Sequence, residues 1–491
     1  MQSVPIRALA LLVAACAAPV FGQAPVAEDP NKPEMIELTV APAPEPRPAL
    51  KYRLIPATAE RTPGNAAPFY YRALLHLNNL PKDYWKPYDE NLETWLSPDP
   101  GVFPKDAVAK WLPSGAWRSQ LEVAAYREYC DWDYRIQDLR GMEVIGFLLQ
   151  ETQDCRSLAR VLRLQAHYEI MDGRPEDAIK TLRLGYQLAH DVAQPPLLIN
   201  GLVGIACASL MNEELQLLID RGGPNMYWAI ASLPQPLVSL RRAMEFEMGM
   251  PQQLFPFLKD AETAQRTPDE WRKLMIEGLI GLQGVAGESQ PELTGWQAEL
   301  AAAAVVAKLY PIAKDALIAS GMDRQWVEEM PVGQVVAIHT ARSTEYVFQE
   351  FHKLSLLPYG EAMRRSPKIR DRLIQEGHLG PGIRGPGGLP IAALLLPAVE
   401  GVRHAEIRIA RNFAALQAIE AMRMHAAETG KLPATLSEVT VVPVPDNPAT
   451  SEPFPYQYDA ATNTATLEVP ASPGQQARHE AKRYVIRLVG N

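Results

Sequence analysis

The sequence predicts a mainly α protein: an irregular, partly repeat-like multi-helix body, followed by a long C-terminal helix and a small antiparallel β unit. Two observations carry this prediction. From about Thr62 onwards, apolar residues recur at spacings of three and four, which is the period of an amphipathic helix. After Gly430 the pattern changes to short alternating runs of β-branched and aromatic residues, which are typical of strands.

Composition and periodicity divide the chain into five segments. They are a signal peptide at 1–22, a proline-rich linker at 23–60, a helical domain at 61–379, a Gly/Pro hinge at 380–390, and the long helix with its β unit at 391–491. An apolar content of 47% is ordinary for a globular protein, so we expect these segments to bury a substantial core.

The N-terminal segment has the pattern of an export signal, and two forms of maturation stay open. Arg7 precedes the apolar run Ala8–Phe21, and the small residue Gly22 ends it, which is the order of a secretory signal peptide. The same run contains Leu12-Val-Ala-Ala-Cys16, which resembles a bacterial lipobox. We therefore expect an exported protein of the periplasm or cell envelope, either cleaved after Gly22 or anchored by a lipid at Cys16.

The linker is defined by its prolines. Pro42, Pro44, Pro46 and Pro48 alternate with other residues, and this spacing favours extended polyproline-type backbone over helix. We interpret the segment either as a spacer that holds a folded body away from a membrane or as a disordered leader.

Helical candidates follow one another through the body. One of them, Pro196–Ile219, is strongly apolar and is expected to be central and buried. They are Tyr70–Leu77, Trp117–Leu139, Ser157–Met171, Glu176–Val192, Glu292–Ala319 with a break at Pro311, Pro331–Leu356, and Pro196–Ile219. Thr267 and Glu270 have the spacing of a capping box, with Pro268 suited to the first helical position, and predict a helix start.

The C-terminal part combines one long helix with short strands. Ala398–Thr429 keeps a single apolar stripe, and Gly430 followed by Pro433 predicts its end. Strands are predicted in the alternating runs Val439–Pro443, Phe454–Tyr458, Ala465–Val469 and Tyr484–Val489, with a turn at Asp459–Asn463.

Charge and hydropathy exclude two kinds of partner. The net charge of −9 argues against nucleic acid as a ligand. Outside the signal, the longest apolar stretch is Leu389–Val399, which is too short to span a bilayer. Contact with a membrane is therefore expected only through a lipid at Cys16, and the expected partner is a protein of the cell envelope.

The cysteines that follow the signal peptide allow two interpretations, a disulfide or buried thiols. Cys130 and Cys155 flank a predicted loop between two helices, and in an oxidising compartment they are candidates for a disulfide. The alternative is that both are buried thiols that pack as small apolar side chains. Cys207 lies in an apolar helical run and is expected in the core.

Local motifs for catalysis are missing from the sequence. There is no Gly-x-Ser-x-Gly, His-Glu-x-x-His or P-loop, so we expect no cofactor and no metal. Asp131, Trp132 and Asp133 are the candidate site residues, because an aromatic side chain lies between two carboxylates. A purely structural role for these three residues is the alternative.

Two parts of the chain resemble known families. Ala166, Gly173 and Ala178 have the spacing of a tetratricopeptide repeat, with Glu169 and Leu182 at its aromatic positions, and the resemblance implies one helical hairpin. The residues Leu394-Leu-Leu-Pro-Ala398 and Gly430-Lys-Leu-Pro433 resemble a pseudopilin or pilin-like protein, which implies a long helix packed on a small sheet. The peptidase site of pilins is missing, so filament assembly is not implied.

The whole chain resembles uncharacterised exported helical proteins of planctomycete-type bacteria. The resemblance lies in Lys51–Pro56, Thr62–Asn65, Tyr70-Tyr71 and Cys130-Asp-Trp132, and it implies no activity. Together these features predict an exported, non-catalytic structural or protein-binding helical module. The alternative is an envelope enzyme, of hydrolase type, whose site is built from residues distant in sequence.

Overall fold

The computed structural model describes residues 32–139, 143–286, 295–378, 391–472 and 476–489. The predictions for the signal peptide at 1–22, for the lipid at Cys16 and for the hinge at 380–390 lie outside these residues. The fold class is confirmed: the described chain is mainly helical and carries one small β-sheet.

The helices follow in chain order. They are α1 (Ala67–Asn78), α2 (Lys86–Trp95), α3 (Lys105–Trp111), α4 (Trp117–Ala125), α5 (Glu143–Met171), α6 (Pro175–Val192), α7 (Leu198–Asp220), α8 (Tyr227–Ala231), α9 (Arg241–Glu247), α10 (Met250–Leu254), α11 (Pro268–Ala286), α12 (Trp296–Ala319), α13 (Arg324–Glu329), α14 (Val332–Ser355), α15 (Tyr359–Gln375), α16 (Ile391–Thr429) and α17 (Ala477–Glu480).

The strands form two sheets. They are β1 (Glu34–Val40), β2 (Thr62–Asn65), β3 (Arg127–Tyr129), β4 (Tyr456–Asp459), β5 (Thr464–Val469) and β6 (Lys482–Leu488). The larger sheet has the order β1-β6-β5-β4, with β1 parallel to β6 and the other pairs antiparallel. The prediction of a purely antiparallel unit is therefore corrected: the sheet is mixed, because its fourth strand comes from the other end of the chain.

This strand also corrects the linker prediction for residues 34–60. In β1 the side chains of Ile36, Leu38 and Val40 are buried on one face, an alternation that allows a strand to pack on a core. The proline run continues along α16, where the Ala43 N–H donates to the Arg423 carbonyl at 3.1 Å. This segment is thus part of the folded body and not a spacer.

The predicted helical hairpin and the buried helix are confirmed. Helices α5, α6 and α7 pack against one another, and most of α7 is buried. Among the described residues, α7 is the one helix whose length and apolar composition would suffice to cross a membrane, a property that core helices share. Local signals were also correct: the Thr267 N–H donates to Glu270 at 2.7 Å, and Gly430 ends α16 with φ 75°.

The hydrophobic core joins distant parts of the chain. The main core contains buried residues from 36–244 and from 402–486, so the N-terminal half and the C-terminal unit pack as one. Residues 250–338 form a second core together with Ile136, Leu197 and Ile391. The C-terminal unit, expected at 391–491, therefore shares its core with the first half of the predicted helical domain at 61–379.

Other element predictions need correction. The helix predicted to reach Leu139 ends at Ala125, because β3 follows and the Tyr126 carbonyl accepts the Thr62 N–H at 2.7 Å. Pro311 stays inside α12, on an exposed face where water can satisfy the released carbonyl. Val439–Pro443 forms no strand: the Val439 N–H donates to the Leu436 carbonyl at 3.2 Å, and Pro443 has no N–H to donate.

Candidate functional site

The candidate residues Asp131 and Trp132 lie in a cleft, which we call the Trp132 cleft. Its volume is about 250 Å³, and the residues important for its chemistry are Cys130, Asp131, Trp132, Tyr134, Gln194 and Arg242. A smaller cavity of about 120 Å³, lined by His190 and Ser239 among others, adjoins it and shares Gln194 and Arg242. The loop after β3, the end of α6 and the start of α9 thus meet at one place.

Asn65 in β2 holds the loop that carries the candidate residues. Its side-chain amide donates to the Asp131 carbonyl at 2.7 Å, and its oxygen accepts the Asp131 N–H at 2.8 Å. The Asp131 carboxylate in turn accepts the N–H of Asp133 at 2.9 Å, and Asp133 takes a left-handed φ of 52°. Asp133 therefore has the structural role that was the alternative for these three residues, because it shapes the loop. Asp131 instead faces the cleft.

Trp132 forms a rigid wall of the cleft. Its indole N–H donates to the Asp191 carbonyl at 2.8 Å, and its ring stacks on Tyr70 with centroids 5.5 Å apart. Tyr71 contacts the same ring edge-on at 5.4 Å. Because the indole is buried and its polar atom is satisfied, the ring cannot turn away without losing both contacts.

A buried polar network lies behind this wall. The Tyr70 hydroxyl donates to one oxygen of Asp191 at 2.7 Å, and the Gln187 amide donates to the other at 2.8 Å. Arg61 donates to the Gln187 oxygen at 3.0 Å and so ties the network to the segment before β2. Burial raises the pKa of the Tyr70 hydroxyl well above its usual range, so it remains a donor at neutral pH.

The predicted disulfide is not formed: Cys130 and Cys155 are both thiols in the structure. Cys155 is buried in the main core, in agreement with the alternative that these side chains pack as small apolar groups. Burial, with the charge of Asp191 adding to it, raises the pKa of the Cys130 thiol far above its ordinary value. At neutral pH Cys130 is therefore protonated and a poor nucleophile.

Opposite charges line the Trp132 cleft without forming a pair. Asp131 and Arg242 are both exposed, and no ion pair joins them. Within the described part of the chain, the Arg242 guanidinium has no hydrogen bond or ion pair with any other residue. Gln194 donates to the His190 carbonyl at 3.2 Å, so its position is set by its own helix.

The chemistry of the cleft depends on the state of its thiol and on its charged groups. A covalent mechanism needs an activated nucleophile beside a base, and the Cys130 thiol is held in its neutral form. Among the described residues, no group of three or more His, Cys, Asp or Glu side chains could hold a metal ion. What the cleft offers is an aromatic wall, two prolines and two accessible charges of opposite sign.

Sequence reasoning found Asp131 and Trp132 but missed Arg242, Gln194 and His190. Their only local signal is modest: Arg241-Arg242 opens a short helix, and Gln194 precedes two prolines. A second, larger cavity of about 480 Å³ lies in the C-terminal unit between Leu436, Asp446, Phe454 and Tyr456.

No protein-family model, curated protein or solved structure matches this chain.

Proposed function

We propose that this protein is an exported, non-catalytic helical module of the cell envelope that binds a protein partner through the Trp132 cleft. One observation carries the proposal: Asp131 and Arg242 lie accessible and unpaired with each other beside a rigid aromatic wall. Arginine, which Arg242 supplies here as an exposed side chain, is enriched among the residues that dominate protein–protein binding energies.

The state of the ionisable groups favours binding over the enzymatic alternative. A hydrolase of the cysteine type would need a lowered thiol pKa, whereas the pKa of Cys130 is raised by burial. His190 has its Nδ1 3.2 Å from the carboxylate of Asp191, which is itself engaged by Tyr70 and Gln187. These groups support the wall of the cleft instead of converging on a substrate.

Photo-crosslinking in the native envelope tests the proposal. A photoreactive residue is placed at Gln194, which lines the Trp132 cleft but is not one of its two charges, and a matched control replaces the exposed Gln325 on α13. We expect one discrete adduct, from the cleft position only, in which mass spectrometry identifies a partner peptide. The same adducts from both positions, or none from Gln194, would contradict a partner at this cleft. Turnover of ester or amide substrates that Asp131→Asn abolishes would support the enzyme instead.

Export is a separate part of the proposal and has its own test. Mass spectrometry of the mature N-terminus, with and without Cys16→Ser, distinguishes the two forms of maturation. A chain that begins directly after Gly22 supports the released form, and a diacylated Cys16 supports the anchored form. An unprocessed chain that stays in the cytoplasm would refute export.

A further inference from the structure

The two charges of the Trp132 cleft are fixed in different ways, and both are available to a ligand. Asp131 is held by Asn65 through two main-chain hydrogen bonds, and one of its carboxylate oxygens accepts the Asp133 N–H. Arg242 projects from the first turn of α9 and has no ion-pair partner within the described residues. Elsewhere on the surface, arginines commonly pair with a carboxylate three or four positions away, as Arg364 and Arg365 do with Glu361.

Asp131 and Arg242 lie in one cleft without forming an ion pair with each other. The cleft therefore favours a ligand that carries one positive and one negative group. A ligand cation near Asp131 and a ligand carboxylate near Arg242 would each replace water with a charge-assisted hydrogen bond.

Ligands with a single kind of charge fit less well. A phosphate-like dianion beside Arg242 would also lie near Asp131, and like charges at close range cost affinity. A divalent cation at Asp131 would face Arg242 and would lack further carboxylate ligands among the described residues. A purely apolar group would leave both charges partly desolvated and unpaired.

We infer that the Trp132 cleft recognises a partner segment that presents one basic and one acidic side chain flanking an apolar residue. The basic group pairs with Asp131, the acidic group pairs with Arg242, and the apolar residue packs against the half-buried Tyr134 and Pro196, which line the cleft beside Trp132. This inference rests on the proposed function, because it names the chemistry of the protein segment that the cleft binds.

Blocked peptides, acetylated and amidated at their ends, test the inference with the full chain. The set is built on a glycine-serine background and contains Lys-Leu-Glu, Glu-Leu-Lys, Lys-Leu-Gln, Gln-Leu-Glu and Gln-Leu-Gln. Titration calorimetry gives the affinities. We expect one order of the two charges to bind best, and loss of either charge to weaken binding about tenfold.

Protein variants assign each charge. Asp131→Asn keeps the acceptor for Asp133 and should abolish the preference for Lys over Gln, while the preference for Glu remains. Arg242→Gln should do the reverse. Arg324→Gln, a matched change on α13, should alter neither preference, and thermal unfolding confirms that each variant is folded.

Three results would overturn the inference: equal binding of all five peptides, no binding of any, or preferences that survive both substitutions. Tighter binding of an unblocked Lys-Glu dipeptide would assign the cleft to a free zwitterion and so contradict a partner segment. A partner adduct at Gln194 that persists undiminished in Asp131→Asn would refute the charge pairing while the proposed function stands.

Discussion

The guanidinium of Arg423 donates to the main-chain oxygen of Ala41 at 2.9 Å, across 382 positions of the chain. The same group donates to the Gly223 carbonyl at 2.7 Å and to both carboxylate oxygens of Glu420, at 2.9 and 3.0 Å. Arg423 and Glu420 are completely buried. One side chain therefore links the N-terminal segment, the loop after α7 and helix α16.

Arg423→Met should destabilise the protein strongly. The substitution removes these hydrogen bonds and leaves the buried Glu420 carboxyl without its cation, which typically costs about 3–5 kcal/mol. Urea unfolding measures the loss. The exposed Arg364→Met should cost less than about 1 kcal/mol, and adding Glu420→Gln to Arg423→Met should recover part of the stability. Equal losses for Arg423→Met and Arg364→Met would show that the buried pair has no special role.

Strand β1 should be essential to stability. Leu38 is 2% exposed, and Leu38→Ala should lower the free energy of unfolding by about 2–5 kcal/mol because it leaves a cavity. The neighbouring Glu37 points outward, with 72% of its side chain exposed, so Glu37→Ala should change stability by less than about 0.5 kcal/mol. If residues 34–40 were a spacer, neither substitution would shift the urea midpoint.

Asn65 should control the geometry of the Trp132 cleft. Asn65→Ala removes both hydrogen bonds to the main chain of Asp131, so we expect a loss of about 1–2 kcal/mol in stability. It should also weaken binding of the best Lys/Glu peptide. Asn91→Ala on exposed α2 loses only a local bond to the Pro87 carbonyl and is the control. Unchanged peptide affinity in Asn65→Ala would mean that the loop keeps its position without the two hydrogen bonds from Asn65.

Glu247 should make stability depend on pH. Burial raises its pKa to about 7 from an ordinary 4.5, although the Leu198 N–H donates to it at 3.3 Å. The pKa of Glu247 is higher in the folded state than in the unfolded state. The contribution of the protonated carboxyl to the free energy of unfolding is therefore complete below pH 4.5 and is lost as the pH rises through 7.

Glu247→Gln, which keeps the acceptor for Leu198, should therefore match the wild type near pH 4.5 and exceed it at pH 8. The gain at pH 8 should be on the order of 2 kcal/mol. Urea unfolding at both pH values gives the difference, with the exposed Glu128→Gln as control. A constant offset between Glu247→Gln and the wild type across this range would argue against a raised pKa.

Cys130 should react slowly with alkylating reagents. Because burial and Asp191 keep its thiol protonated, iodoacetamide at pH 7.5 should modify it at least about tenfold more slowly than in the urea-unfolded chain. Peptide mass spectrometry resolves each cysteine separately. Rapid labelling of Cys130 in the folded protein would reveal an activated thiol and would favour the enzymatic alternative.

Several features of this protein depend on residues that are close together in the sequence, and their prediction is confirmed. The α5–α6 hairpin, the buried helix α7 and the long helix α16 follow from apolar spacing within a few turns. The cap of α11 depends on two residues three positions apart, and the end of α16 depends on one glycine. Each signal acts between neighbours on the chain, so no knowledge of the rest of the fold is needed.

The candidate site could be predicted only in part, for the same reason. The aromatic residue between two carboxylates predicts that Asp131 and Trp132 are site residues. Nothing near them in sequence indicates Arg242. Asp131 and Arg242 line one cleft because the loop after β3 and the first turn of α9 come together beside the end of α6.

The sequence by itself determined the helical class, the helices α5, α6, α7, α12, α14 and α16, and the last three strands. Only the tertiary structure decided that β1 pairs with β6, that the C-terminal unit shares the main core, and that two opposite charges line one cleft. Strand partners and clefts depend on contacts between segments hundreds of positions apart. Periodicity and capping report only on the nearest turns of the chain.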